Sequence, residues 1–205
     1  EQSEIHQALI ESVGSNITLK YPKNGEYRSA YVIANIDDEP TDEAMVFYEY
    51  TSNGSEEDGL RVNILDKDED GKWYSVKELA GAGTDIDQVI ISPMGSNNQT
   101  DVFVGYQNLT NDEKTMEIYS YTDGDFKRVA LDTYSVLEPL DINNDGYIEL
   151  ITIQRSTNND TGAVTAKASM LNMKNNEITR GENVDMCDNV TSYVSSKTGM
   201  LDSGR

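Results

Sequence analysis

The 205-residue sequence repeats a round of four short β-strands, and this repeat constrains its fold more than any other feature. Runs rich in Val, Ile and Tyr alternate with Gly, Asn and Asp segments, which is typical of antiparallel strands joined by turns. An acidic residue closes the first loop of each round, at Glu43, Asp101 and Glu149, so that successive rounds lie 58 and 48 residues apart. Because four-stranded sheets of this kind bury their faces against one another, the repeat predicts an all-β fold, a partial β-propeller of about three four-stranded blades.

The boundaries of the predicted units follow from the strand runs. Apolar residues at helical spacing predict one short helix at 4–13, within an N-terminal lead-in that covers residues 1–27. Since a closed propeller usually needs more blades, we expect a fragment of a larger propeller or an open arc of sheets, with an exposed edge after Arg180. The blades are predicted at 28–80, 86–131 and 134–181, with the start of a fourth at 188–205. The predicted strands are 30–34, 44–50, 60–65, 73–79, 88–92, 102–106, 116–121, 126–130, 134–140, 150–154, 163–172 and 177–180.

The first loop of the third round, residues 141–149, has the residue pattern of a calcium loop. Calcium takes six to eight oxygen ligands, which a tightly wound loop supplies from alternate residues. Gly146, at loop position 6, suits the sharp turn that a Cβ would resist. The predicted ligands are four side chains and one backbone carbonyl, from Asp141, Asn143, Asp145, Tyr147 (carbonyl) and Glu149. The alternative is a metal-free turn rich in Asn, Asp and Gly.

The residues around this loop distinguish it from an EF-hand. An EF-hand has a helix on each side and a bidentate Glu at position 12, where this chain has Thr152. Pro139 argues against a helix entering the loop, and the β-branched residues of 150–154 predict a strand leaving it. We therefore expect the calcium loop to join two strands.

The corresponding loops of the first two rounds match the pattern less well. Residues 35–43 keep oxygen-bearing side chains at positions 1, 3, 5 and 9, but Pro40 replaces the glycine, which leaves metal binding in the Asn35–Glu43 loop open. Residues 93–101 have lost the oxygens at positions 1 and 3, so the second loop is predicted to be metal-free.

The motif D-x-N-x-D-G-x-x-E-L between two strands, repeated with decay, resembles the FG-GAP or VCBS repeats of propellers like the integrin α-subunit. A narrower likeness covers most of the chain: the segments 17–22, 25–30, 43–48 and 102–105 look like those of uncharacterised lipoproteins of Gram-positive bacteria. This resemblance implies an extracellular, membrane-anchored lipoprotein on the bacterial cell surface, tethered through a lipidated cysteine upstream of the helix. It implies no activity.

Composition excludes several classes of partner. The net charge of −21 is opposite to the basic surface that nucleic acid requires, and it also opposes anionic membrane surfaces. No apolar run approaches the roughly 20 residues of a membrane span, so no transmembrane segment is expected in this chain. Cys187, the single cysteine, cannot form an intramolecular disulfide. These features fit an extracellular protein that calcium stabilises.

Residues able to support catalysis are scarce. His6 is the one histidine and stands on the N-terminal helix, which excludes a Ser-His-Asp triad in the strand region and multi-histidine zinc sites. The D-x-D-x-D-G run at 66–71 lacks a closing acid and is predicted to be a hairpin turn. The twelve tyrosines could line a sugar platform, although packing between blades is the commoner role.

From these features we expect a non-catalytic, calcium-stabilised extracellular module that binds an unknown protein or glycan or acts as a scaffold. Two alternatives stay open: an accessory or catalytic propeller domain of a polysaccharide-degrading enzyme, and a spacer between an anchor and an effector. A catalytic site would show converging acids in a cleft, and a binding module would show an exposed aromatic patch.

Overall fold

The computed structural model describes residues 1–51, 59–95, 99–108, 113–174 and 177–188. It confirms an all-β fold with one N-terminal helix, α1 (Gln2–Val13). The strands are β1 (Ile17–Leu19), β2 (Tyr31–Ala34), β3 (Glu43–Tyr50), β4 (Leu60–Lys67), β5 (Trp73–Ala80), β6 (Asp85–Ser92), β7 (Asp101–Gln107), β8 (Lys114–Thr122), β9 (Asp125–Tyr134), β10 (Val136–Leu140), β11 (Glu149–Thr157), β12 (Val164–Lys174) and β13 (Glu177–Asp188).

The strands form three successive antiparallel sheets, the arrangement of a partial propeller. The second sheet has the order β6-β7-β8-β9 and the third has the order β10-β11-β12-β13. In the first sheet, β3, β4 and β5 follow in order, and β1 and β2 lie end to end along the same side of β3. The segment predicted as a lead-in, residues 1–27, therefore contributes β1 to the first sheet.

Three apolar layers hold the sheets in chain order. One cluster joins the first and second sheets through residues such as Phe47 and Val104, and another joins the second and third sheets through residues such as Phe103 and Leu150. Alternate residues of a strand point to opposite faces, so β3 and β7 need apolar side chains on both faces. Their continuous buried runs meet that need, because each of these strands packs on both sides.

Helix α1 covers the outer face of the first sheet. Its Ile5 and Leu9 are fully buried against a sheet surface that includes Val46, Tyr48 and Trp73. Gly14 ends the helix with a φ of 83°, a left-handed conformation that glycine adopts without the penalty of a Cβ. The amphipathic pattern seen in the sequence therefore serves to close one end of the stack of sheets.

Tyrosines contribute chiefly to the interior, as the sequence pattern favoured. Tyr48, Tyr106 and Tyr134 are fully buried, whereas Tyr21 and Tyr74 are more than two-fifths exposed. The hydroxyl of Tyr134 donates a 2.6 Å hydrogen bond to a carboxylate of the second sheet and passes over Gly105, where a Cβ would lie 2.0 Å from that oxygen. Glycine at this position is therefore required by close packing.

Two predictions concern the ends and the surface of the chain. The predicted start of a fourth blade at 188–205 lies outside the described residues except for Asp188, which ends β13. Strand β13 also continues eight residues beyond the predicted end of the third blade's last strand at 180. Within the described ranges, no helix is long and apolar enough to span a membrane.

Candidate metal site

Three loops occupy equivalent positions in the three sheets and are called the first, second and third loops. Residues 35–42 join β2 to β3, residues 93–100 join β6 to β7, and residues 141–148 join β10 to β11. The acid that follows each loop is the first residue of the next strand. In every case one carboxylate oxygen of this closing acid accepts the backbone N–H of the residue seven positions earlier. The donor–acceptor distances are 2.8 Å for Ile36 to Glu43, 2.9 Å for Met94 to Asp101 and 2.9 Å for Ile142 to Glu149.

The third loop winds around the carboxylate of its first residue, Asp141. One oxygen of that carboxylate accepts the N–H of Asp145 at 3.1 Å, and the other accepts the N–H of Gly146 at 3.0 Å. Side-chain oxygens of Asn143 and Asp145 accept backbone N–H groups two residues ahead, both at 2.9 Å. Side-chain oxygens thus accept the backbone N–H groups that would otherwise pair with backbone carbonyls. These local hydrogen bonds hold the short segment in a compact loop.

Two residues of the third loop have left-handed backbone conformations. Asn144 has a φ of 56° and Gly146 a φ of 89°. Asparagine and glycine are the residue types that tolerate this region best. In the described part of the chain, no atom lies within 4 Å of the place where a Cβ of residue 146 would be, so the requirement for glycine comes from the backbone and not from crowding. The prediction that Gly146 takes a positive φ is confirmed.

The predicted ligands of the third loop converge around the side-chain amide of Asn143. Its nitrogen donates to Asp145 at 3.0 Å and to Glu149 at 3.3 Å, so it stands between two carboxylates that would otherwise repel each other. Oxygen donors of this kind are the ligands that calcium prefers, and a cation at the same place would offset the same two charges. By donor chemistry, the loop fits Ca²⁺.

The third loop does not form a dense cluster of acids. Among the residues that the structure describes, no three His, Cys, Asp or Glu side chains stand close enough together to hold a metal ion. The reason lies in the hydrogen bonds already given, because both oxygens of Asp141 face N–H groups and one oxygen of Glu149 faces Ile142. Ligation by five groups would therefore need Asn143 and the Tyr147 carbonyl beside the carboxylates.

The first loop satisfies its polar groups differently. Asn35 donates its side-chain amide to the backbone carbonyls of Glu39 and Thr41, the second at 3.0 Å. Glu43 is 1% exposed, and its second oxygen, Oε1, has no hydrogen-bond partner among the described residues. Burial, together with the negative charges of Asp37 and Asp66, raises the pKa of Glu43 to about 7, although the Ile36 N–H opposes the shift.

The second loop, predicted to be metal-free, has a closing acid that the protein itself fully satisfies. Asp101 is completely buried, and one of its oxygens accepts the N–H groups of Met94 and Gly95, at 2.9 and 3.3 Å. Its other oxygen accepts the hydroxyl of Ser120, its cross-strand partner on β8. Burial still raises the pKa of Asp101, while these three donors lower it.

Other sequence motifs have structural positions. The 66–71 run covers the end of β4 and the tight turn before β5, where Asp68 accepts N–H groups of Asp70 and Lys72. His6 contacts the hydroxyl of Tyr31 at 2.7 Å on the surface of the first sheet. Gly81 and Gly83 lie in the connection between β5 and β6.

Sequence reasoning missed one charged network in the second sheet. Asp87 is 1% exposed and accepts hydrogen bonds from Asn24, Lys114 and Tyr134, at 2.8, 2.8 and 2.6 Å. A buried carboxylate is tolerated when it is paired and hydrogen-bonded in this way. Its signal in the sequence is an acid inside the apolar run that forms β6, and its partners come from three other segments of the chain.

No protein-family model matches the chain, and no curated protein matches it at a significant level.

Proposed function

We propose that this protein is a non-catalytic, calcium-stabilised module that acts outside a bacterial cell as a scaffold or as a binding surface for a protein or a glycan. The observation that carries the proposal is the third loop, where a wound backbone brings the carboxylates of Asp145 and Glu149 within hydrogen-bond distance of the Asn143 amide. Hard oxygen donors on a loop with glycine at its sharp turn are the arrangement that calcium sites use.

The charge of the chain supports a role for calcium. A net charge of −21 on 205 residues opposes compaction by self-repulsion, and a divalent cation at the third loop would offset part of it. Asp141, Asn143, Asp145, Glu149 and the carbonyl of Tyr147 would hold the ion. Bound calcium would supply positive charge between β10 and β11, and the loop residues would fix how those two strands are joined.

A non-catalytic role is supported by how the buried acids are used. Asp87 pairs with Lys114, Asp101 with Ser120, and Glu117 with Arg128 and Tyr119. Groups held in these pairs stabilise strand packing, and a catalytic acid would instead face a cleft open to substrate. The surface-lipoprotein location rests on the resemblance of the segments named in the sequence analysis and is part of the proposal.

The calcium proposal is tested by thermal unfolding with and without the metal. Binding to the folded state alone stabilises it by RT ln(1 + [Ca²⁺]/Kd), about 2.7 kcal/mol at one hundred times Kd, so calcium should raise Tm by several degrees. Asp145→Ala should abolish the rise. Asp70→Ala removes an acid from the turn between β4 and β5 and serves as the matched control, which should respond like wild type. An unchanged wild-type Tm after EDTA treatment would refute a structural calcium site.

The non-catalytic part is tested separately. A screen against common glycosidic, ester and peptide substrates should give no turnover above background. Reproducible hydrolysis that is lost when one carboxylate pair is substituted, with folding intact, would favour the polysaccharide-degrading alternative.

A further inference from the structure

Glu43, the acid that closes the first loop, has one carboxylate oxygen to which no described group donates a hydrogen bond. The residue is 1% exposed, and its Oε2 accepts the N–H of Ile36 at 2.8 Å, while its Oε1 has no partner among the described residues. Burying a carboxylate costs free energy unless a positive charge or enough hydrogen-bond donors face it. The unpartnered oxygen therefore indicates that a ligand completes this site.

Two half-buried acids, Asp37 in the loop and Asp66 on β4, lie close enough to act on Glu43 electrostatically. After burial itself, their negative charges raise the pKa of Glu43. One oxygen of Asp37 and one oxygen of Asp66 each accept a nearby backbone N–H, at 2.7 and 2.6 Å, and the other oxygen of Asp66 has the Tyr74 hydroxyl at 3.5 Å. Each of the three carboxylates thus has a second oxygen available to a cation. We call Asp37, Glu43 and Asp66 the first-loop acid cluster.

No basic side chain in the described part of the chain forms an ion pair with the first-loop acid cluster. In the second sheet, by contrast, the buried Asp87 is paired with Lys114 at 2.8 Å. Lys67 follows Asp66 directly in sequence, but its ammonium group pairs with Glu1, which precedes α1, at 3.2 Å. The cluster therefore lacks the positive charge that a buried carboxylate normally has beside it.

The arrangement of the cluster indicates which cation fits it. Among the described residues no three acids stand close enough to bind one ion directly, so water must complete the shell of an ion held by two of these carboxylates. Mg²⁺ keeps several waters and is usually bound by one or two carboxylates, whereas Ca²⁺ takes six to eight oxygen ligands. The first loop also lacks the wound form of the third, because Pro40 stands at the position of Gly146 and the Asn35 amide donates to backbone carbonyls. The cluster therefore fits a hydrated Mg²⁺ better than Ca²⁺.

We propose that the first-loop acid cluster binds Mg²⁺ together with several of its waters. Two of the three carboxylates hold the ion directly, and the third holds it through a bound water. The ion supplies the positive charge that Glu43 lacks, and it links the loop to β4 because Asp66 lies on that strand. This magnesium site is independent of calcium at the third loop, so that either site can exist without the other.

Isothermal calorimetry with Mg²⁺, at about pH 8 and without calcium, tests the proposal. The full chain carrying Asp145→Ala is the starting protein, so that the third loop does not contribute to the binding. At this pH Glu43 is mostly ionised, since its raised pKa is about 7. We expect saturable binding of one ion per chain.

Three further substitutions in the same starting protein distinguish a site from general attraction of cations. Glu43→Gln and Asp66→Asn should each raise the Kd for Mg²⁺ by about tenfold or more, because each removes a charge that faces the ion. Asp38→Asn, the matched control, removes an exposed acid of the same loop and should change the Kd by less than about twofold. Urea unfolding without magnesium checks folding, and at this pH Glu43→Gln should be more stable than the starting protein, so its loss of binding cannot reflect unfolding.

Three results would overturn the proposal. Absence of saturable binding up to about 10 mM Mg²⁺ would show that the cluster holds no magnesium. An Asp38→Asn variant that loses as much affinity as Glu43→Gln would show that magnesium gathers near the acids without a site. Tighter binding of Ca²⁺ than of Mg²⁺ by the starting protein would show that the cluster is not a magnesium site. Failure of the calcium proposal would appear elsewhere, as an unchanged wild-type Tm after EDTA treatment.

Discussion

The second and third loops hold the same acid at the same place in a sheet and satisfy it by opposite means. Asp101 is completely buried and receives three hydrogen bonds, from two backbone N–H groups and the Ser120 hydroxyl. Glu149 is partly exposed and receives one backbone N–H and a long contact from the amide of Asn143. A repeated loop can therefore keep its backbone geometry while the negative charge of its closing acid is balanced in different ways. Fixed protein donors balance it in the second loop, and we propose that a cation balances it in the third.

The first loop lies between these two solutions. Glu43 is as buried as Asp101 but lacks an equivalent of Ser120, because the cross-strand neighbour beyond the Ala44–Leu65 pair is another acid, Asp66. One oxygen of Glu43 therefore has no hydrogen-bond partner among the described residues, and burial together with the charges of Asp37 and Asp66 raises the pKa of Glu43. Four variants distinguish these ways of balancing the closing acid, and Asp101→Ala should change stability most.

Asp101→Ala should give the largest loss of stability. It leaves the buried N–H groups of Met94 and Gly95 and the Ser120 hydroxyl without their acceptor, and we expect a cost of about 3–5 kcal/mol. Urea unfolding measures it, and the loss should be the same with calcium and with EDTA. A loss that calcium restores would mean that the second loop also depends on metal.

Glu43→Gln should stabilise the protein above about pH 4.5, and the full effect should be reached above about pH 7. Because the folded pKa of Glu43 is raised to about 7, the folded state keeps this proton while the unfolded chain releases it near its ordinary pKa of 4.5. Stability is therefore full below about pH 4.5, falls as the pH rises to 7, and stays reduced above it, by on the order of 3 kcal/mol. The variant should match wild type at pH 4 and exceed it at pH 8, in urea unfolding with EDTA present. Equal pH profiles would contradict a strained carboxylate here.

Gly146→Val should cost about 1–2 kcal/mol and weaken calcium binding. The φ of 89° disfavours a β-branched residue, while the space around the new Cβ is empty, so the cost is that of the backbone alone. Isothermal calorimetry and urea unfolding measure the two effects. A variant equal to wild type in both would show that our interpretation of the turn is wrong.

Glu149→Ala should have the smallest effect without metal and remove the response to calcium. In EDTA we expect a loss of about 0.5–1 kcal/mol, because one partly exposed hydrogen bond to Ile142 is removed. In the presence of calcium, the difference in unfolding free energy between the variant and wild type should increase by the full stabilisation that calcium binding gives wild type. The loss of stability in Asp101→Ala should not depend on calcium, whereas the loss in Glu149→Ala should. This difference tests most directly whether the second and third loops balance their acids differently.

The sequence predicted the strands well because period and turn residues are local signals. All twelve predicted strands correspond to strands in the structure, and the helix prediction of 4–13 falls within Gln2–Val13. It missed β1, since three residues carry too little alternation to be recognised. Strand β13 is longer than predicted because residues 181–188 pair with β12 and contain Gly, Glu and Asn, which by themselves do not favour strands.

Some features of the candidate site can likewise be predicted from local sequence, and others cannot. The positive φ of Gly146 follows from its position within one loop, so the sharp turn could be predicted from the sequence. Calcium ligation by residues 141–149 stays a prediction. The pKa of Glu43 depends in part on Asp66, and the hydrogen bonding of Asp101 depends in part on Ser120. Each of these partners lies on the neighbouring strand. Cross-strand register joins these residues, and a single sequence does not reveal register until the strands are paired.

Each sheet is made from one continuous stretch of chain, within 17–80, 85–134 and 136–188. Strand pairing is therefore mostly between neighbours in sequence, which shortens the loops that must close before pairing begins. During synthesis the first sheet can form as soon as Ala80 has emerged, and α1 is already present to cover one of its faces. Each later sheet then has an already formed sheet to pack against, so the three sheets can form in chain order.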